Sequence, residues 1–310
     1  MNPQGKSAAP LNTPVALFIF NRPIPTAKVL AAIAEARPAR VLVVADGPRE
    51  DHPDDARLCA ETRALIDSVN WPCEVQTHYS GSNLGCQRRV ASGLDWVFSQ
   101  VDEAIILEDD CLPDPSFFPF CEELLARYRN DEKVHMVRGG NFLGGRRVTA
   151  SSYYFTRAYH IWGWATWARA WKHNDVTMRG WPELRNSGWL ERHLPTELMV
   201  GKAREIFDQA YAGQLDTWEY YWVFSGWVRN ALAISPVNNL VTNIGFGPGA
   251  AHYQDKDHPH SKMPVVSVKF PLRHPRTVEV LEAAELLEWT LLNPRNSFWR
   301  RVYGRLLRFP

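Results

Sequence analysis

The sequence predicts an α/β protein built on a mostly parallel sheet with helices on both faces. Three observations predict it. Four segments, VALFIF (15–20), VLVVA (41–45), CEVQTHY (73–79) and AIIL (104–107), have strand length and strand composition. A stretch with apolar residues at helical spacing follows each of them. All but the third are continuously apolar, as strands buried on both faces of a parallel sheet must be.

The elements follow in order. After a polar lead-in over residues 1–13, the first strand leads to helical spacing in TAKVLAAIAEA (26–36). The second strand precedes Leu58, Thr62, Leu65 and Val69, which fall on one helical face. The third strand is the more amphipathic one, and Val90, Leu94, Val97 and Phe98 mark the helix after it. The fourth is followed by Phe117, Cys121, Leu124 and Tyr128, again one face, with Asp114 placed as a cap.

Composition narrows the function class. A net charge of +1 over 310 residues supplies no basic field for nucleic acid. The five cysteines are scattered, without a C-x-x-C pair, and fit reduced structural thiols better than a disulfide framework or a zinc site. The first residues lack an apolar signal core and no run reaches the length of a membrane span, so a cytoplasmic location is expected.

Polar groups cluster just past the four strands: Asn21 and Arg22, Asp46 and Gly47, His78 to Asn83, and Glu108 to Asp110. In open α/β sheets ligands bind outside the carboxyl ends of the strands, so four such ends describe one rim. The first turn, FNRPIPTA, has two prolines and no glycine, and there is no P-loop lysine motif, so backbone amides are not arranged to cradle a diphosphate. The three adjacent acids of ILEDD repel one another and call for a cation. Mg²⁺ or Mn²⁺, held by one or two carboxylates and by substrate phosphates, would supply it. A solvated turn is the competing explanation of the same acids.

The succession FNRP, ADGP, NLG and ILEDD followed by PSFF resembles nucleotide-diphospho-sugar glycosyltransferases of the GT-A fold, most closely the N-acetylglucosaminyltransferase I-like group and its bacterial relatives. The resemblance runs from about Thr13 to His252. It implies one GT-A domain over 14–265, with a nucleotide-sugar half (14–150) and an acceptor half (151–265), and a C-terminal helical extension over 266–310. It implies that Arg22 contacts the donor diphosphate, that Asp46 accepts hydrogen bonds from base or ribose, and that Asp110 ligates the metal. Glu108 and Asp109 would then place sugar and nucleotide. Gly85 would allow close backbone approach, and Arg88 or Arg89 would reach phosphate. Locally, Asp46 also suits an Asp-Gly turn, and the two arginines suit a solvated helix face.

Nine of the 13 tryptophans lie between Trp162 and Trp227, and most are expected in the core. The glycine of WGW would expose a flanking ring, which makes Trp164 a substrate contact, in line with the Trp-containing segment of the family's sugar site. An inverting transfer needs a carboxylate to take the acceptor's proton. Glu219, in WEYYW, stands where relatives carry an acid, although Glu replaces the more usual Asp. Asp216, three residues earlier, remains in contention, and DTWE also reads as a structural capping box. His252 matches a late family histidine and is a further candidate ligand for metal or diphosphate. His258 and His260, with Asp255 and Asp257, have no regular zinc spacing.

The tail combines an extended PLRHPRTVEV, a helix at 283–292 and a basic aromatic segment, 296–309, that suits either a docked helix or contact with the inner membrane surface. The expected protein is a metal-dependent glycosyltransferase moving a sugar from a nucleoside diphosphate, UDP by resemblance, to a saccharide or lipid-linked glycan. A sugar-1-phosphate nucleotidyltransferase and a non-catalytic sugar-binding protein are the alternatives.

Overall fold

The computed structural model describes residues 10–246 and 263–293. His252, the 255–260 histidine and aspartate group, and the 296–309 segment lie outside the described residues. The chain opens β1 (Val15–Ile19), α1 (Pro23–Ala36), β2 (Arg40–Ala45), α2 (Asp55–Ala64), β3 (Glu74–Tyr79), α3 (Cys86–Gln100) and β4 (Glu103–Glu108). It continues with β5 (Cys111–Pro113), α4 (Phe117–Tyr128), β6 (Val134–Arg138), β7 (Tyr153–Thr156), β8 (Trp164–Trp167) and α5 (Ala168–Trp171). The remainder is α6 (Trp181–Leu184), α7 (Trp189–His193), α8 (Glu197–Tyr211), α9 (Glu219–Val228), β9 (Leu232–Pro236), β10 (Val241–Asn243) and α10 (Glu282–Leu292).

Eight strands form one sheet in the order β3-β2-β1-β4-β8-β6-β9-β7, and β5 pairs with β10 beside it. β3, β2, β1 and β4 run parallel, as do β6 and β9, while β8 and β7 are antiparallel to their neighbours. The expected α/β layout with a mostly parallel sheet is therefore present. β3 is an edge strand, which explains its amphipathic sequence: it is buried on one side at most.

The continuous apolar character of the central strands follows from the two cores they feed. Successive side chains point to opposite faces, so Val15, Leu17, Val41 and Val43 pack under α1 and α4. Ala16, Phe18, Leu42 and Val44 face α3 through Val90, Leu94 and Val97. A third core, around Trp181, Phe207 and Phe224, joins the helices of the later half. Helix α1 starts at Pro23, earlier than its periodicity suggested, because prolines at the first positions of a helix forfeit no intrahelical bond.

Two buried ion pairs seat α10. Fully buried Arg138, at the end of β6, donates to Glu288 at 2.8 and 3.0 Å. Arg157 donates to Glu285 at 2.6 and 3.0 Å. Arg138 and the adjacent His160 hold the Glu288 carboxyl at about 2 against its burial.

Candidate active site at the carboxyl rim of the sheet

The ends of β1, β2 and β4 are adjacent in the sheet, so the polar residues after them meet at one rim. Arg22 follows β1 and reaches the acidic run after β4: its Nη1 lies 2.8 Å from Asp110 Oδ2 and 3.6 Å from Asp109 Oδ1. A cation of the chain's own therefore faces the acids. It is one guanidinium against three carboxyl groups, and both their burial and their crowding show in their acidity. Burial and then Asp110 push the Asp109 carboxyl up to about 7, with Arg22 and the Phe20 N–H opposing. Glu108 is raised well above the carboxylate range by burial, then by Asp110, Asp109 and Glu219.

The β5–β10 ladder supplies the other wall. Asn243 sits opposite Cys111 and donates from Nδ2 to Asp110 Oδ1 at 3.2 Å. Gly245 follows, and here only glycine fits: a Cβ would lie 2.0 Å from Asp110 Oδ2 and 2.7 Å from Arg22 Nη2. Asn243 and Gly245 are neighbours of Asp110 that the sequence reading did not single out as site residues. They sit in a Gly- and Pro-rich stretch that reads as a loop, and only strand pairing brings them to Asp110.

Helix α3 points its N-terminus at the same place. Gly85 turns into it with φ +79°. Asp216 Oδ1 accepts the Gln87 N–H at 3.0 Å, so Asp216 caps α3 from 129 residues away. The capping box read from DTWE does not form: Trp218 is the N-cap of α9 and no side chain caps it. Glu219 opens α9 close enough to raise Glu108 electrostatically. Cys86 marks where these groups converge, since burial, then Glu108, Asp216, Glu219 and Asp46 raise its thiol to about 12. A thiol held that high stays neutral and adds no further anion.

The remaining candidates are placed as follows. Asp46 is 7% exposed and its oxygens collect Gly47 N–H (2.8 Å), Leu84 N–H (2.9 Å), Gly85 N–H (3.2 Å) and Asn83 Nδ2 (3.1 Å). It ties β2 to the loop that launches α3. Asn21 donates from Nδ2 to Asp55 at 2.6 Å. Arg88 is exposed on α3, whereas Arg89 is buried and donates to the His78 carbonyl. Asp114 accepts from the Ser116 N–H at 2.9 Å and so shapes the start of α4.

Trp164 requires a correction. It does not present a ring to the cleft: it is fully buried, stacked on Trp218 at 5.5 Å and near Trp222 at 6.0 Å. Its place in β8, opposite Ile106 of β4, sends the side chain into the second core. The ring left half-buried by the WGW turn is Trp162, which meets Phe246 edge-on at 5.9 Å.

The donor set at Asp110 is oxygen-rich, which suits Mg²⁺ or Mn²⁺. Among the described residues no group of three or more His, Cys, Asp or Glu is arranged to hold an ion by itself. A metal here would take one or two carboxylates from the chain and its other ligands from substrate. The surplus of carboxyl groups over Arg22 fits that arrangement, since a bound cation would favour their ionised forms. No described helix is long and apolar enough to cross a membrane.

No family model matches the chain, and no curated protein matches it. Among solved structures it is similar to a mannosyltransferase from Pyrobaculum calidifontis in complex with GDP-Man and Mn²⁺, at 13% identity and TM-score 0.36 over 52% of this chain. That match spans 46% of the mannosyltransferase, less than half its length. It is also similar to a UDP-glucose pyrophosphorylase complexed with UDP-glucose, at 8% identity and TM-score 0.28 over 48% of this chain and 64% of that one. A cytidylyltransferase from Leptospira borgpetersenii serovar Hardjo-bovis matches at 11% identity and TM-score 0.31 over 65% of this chain and 74% of that one. No activity is transferred from likenesses this distant.

Proposed function

We propose that the chain is a metal-dependent glycosyltransferase that moves a sugar from a nucleoside diphosphate, UDP in the first instance, to a saccharide or lipid-linked glycan, with inversion. The observation that carries this reading is the convergence at one rim of Arg22, the acids 108–110, the α3 N-terminus and Glu219. Asp110, steadied by Arg22 and Asn243, would hold the metal, which when bound neutralises charge on the leaving diphosphate. Arg22, paired with Asp110, would pass to a donor phosphate once a cation takes its position. The α3 N-terminus adds partial positive charge on the same side.

Glu219 is the better candidate for the base. Asp216 is committed to the Gln87 N–H as the cap of α3, while Glu219, at the first turn of α9, is near enough to the acidic run to raise Glu108. Taking the acceptor proton there requires the carboxylate form. The membrane-contact role of 296–309 is retained as part of the proposal for a lipid-linked acceptor.

The test is a panel of nucleoside diphosphate sugars with and without Mn²⁺, read by thermal shift and by slow donor hydrolysis. One donor should stabilise the protein only with metal, and Asp110→Asn should abolish that response. Pyrophosphate release from a sugar 1-phosphate and a nucleoside triphosphate would instead identify a nucleotidyltransferase. No response to any donor, with or without metal, refutes the reading.

A further inference from the structure

The acidic rim has a basic counterpart elsewhere on the molecule. Helix α9 begins at the rim with Glu219 and ends at Val228, about 15 Å away at 1.5 Å per residue. There a cavity of about 290 Å³ opens, lined among others by Lys172, His173, Asn174, Asp175, Arg179 and Arg229. Its cations come from separate elements: the end of α5, the turn before α6, and the end of α9.

Three cations face one carboxylate in this wall. Asp175 pairs with Arg179 at 3.3 Å and accepts from Thr177, while neither Lys172 nor Arg229 makes an ion pair among the described residues. The surplus charge reaches the imidazoles behind it. His135 and His173 stack at 6.3 Å, and both are held below the usual histidine range. Burial is the first cause in each case; at His135 Arg169, outside the cavity, and then His173 act before Arg229, whereas at His173 Arg229 and Lys172 add to burial and Glu132 opposes.

Lys172 and Arg229 each close a helix, where a cation complements the carbonyl end of the dipole. That explains each charge singly. It does not explain why both meet Arg179 around one cavity. Val176 and Val228, each 45% exposed, add apolar surface to the same ends of the chain's turn and helix.

We infer that this cavity is a second binding site, separate from the acidic rim, for a phosphate-bearing anion. The volume suits a phosphoryl or diphosphoryl group rather than a whole nucleotide, which needs a pocket toward the upper end of the usual ligand range. Lys172, Arg179 and Arg229 supply the charged donors, and the source is either a soluble phosphate ester or a lipid headgroup. The site does not depend on the rim being a glycosyltransferase.

The experiment follows the His173 and His135 ring signals by NMR titration in the intact chain, without metal, so that the rim does not recruit the probe. Inorganic pyrophosphate is one arm and phosphatidylglycerol vesicles the other, with phosphatidylcholine vesicles as the blank. An anion in the cavity should raise the His173 titration midpoint by about one unit. Lys172→Ala/Arg229→Ala should raise that midpoint without any probe and remove the response to it. A response to pyrophosphate alone assigns a soluble phosphate, and one to anionic vesicles alone assigns a lipid headgroup. No shift with either probe overturns the inference, and so does an equal shift in the double variant. Arg229→Gln serves as the milder variant should the double one fail to fold, as judged by circular dichroism.

Discussion

Replacing Asp109 by Asn takes one charge from a run of three carboxylates opposed by a single guanidinium, and keeps an acceptor for the Phe20 N–H (3.3 Å). The native carboxyl is pushed up from 3.8 to about 7, chiefly by burial and Asp110. An acid with a raised folded-state pKa binds its proton more tightly when folded. Its contribution therefore favours folding at low pH and turns into a cost as pH rises from about 4 to about 7. Three units at about 1.36 kcal/mol each set a ceiling of about 4 kcal/mol. The coupling to Glu108 and Asp110 is shared, and counterions reach the rim, so about 2 kcal/mol is the expected gain for Asp109→Asn at pH 8. In a chain of this size that is roughly 5 °C in Tm. Urea unfolding and calorimetry across pH 4–8 measure it directly. The advantage should vanish near pH 4. A variant less stable than wild type at pH 8, or a difference that stays flat across the range, would show that the Asp109 carboxyl is not raised in the folded state.

Four further substitutions probe other parts of the structure. Gly245→Ala should push a methyl group into the Arg22–Asp110 pair and weaken metal-dependent donor binding at least about tenfold by calorimetric titration, since the Cβ has no room. Gly201→Ala, on the exposed side of α8 with open space, should instead add about 0.5–1 kcal/mol of stability. Arg138→Met strands buried Glu288 and should cost about 3–5 kcal/mol in urea unfolding, most of it recovered by adding Glu288→Leu. Asp46→Ala frees several buried donors and should cost about 1–3 kcal/mol while raising the donor KM; lost donor affinity at unchanged stability would instead mark Asp46 as a direct nucleotide contact.

Much of the rim was legible because its residues belong to the sequence-local pattern of strand followed by polar turn. Arg22, Asp46 and the acids at 108–110 all follow strands that periodicity identifies, and parallel order then puts them on one edge. The pairing of Arg22 with Asp110 was not legible, since the acids seemed to lack any cation in the chain. Nor was the use of Asp216 as a cap for α3, because nothing local links residues 129 apart. Trp164 failed for a related reason: a glycine turn suggested exposure, but strand register decides which way the following ring points.

By itself the sequence determined the α/β class, the four opening strands and the rim where polar groups gather. These depend on side-chain period and on the placement of polar residues at strand ends, both properties of short windows. The tertiary structure decided which charges offset one another. It set Arg22 against the acids, Asp216 on α3, and Gly245 against Asp110. Electrostatics and close packing act between residues near in space, and here that nearness comes from strand pairing and helix packing across the whole chain.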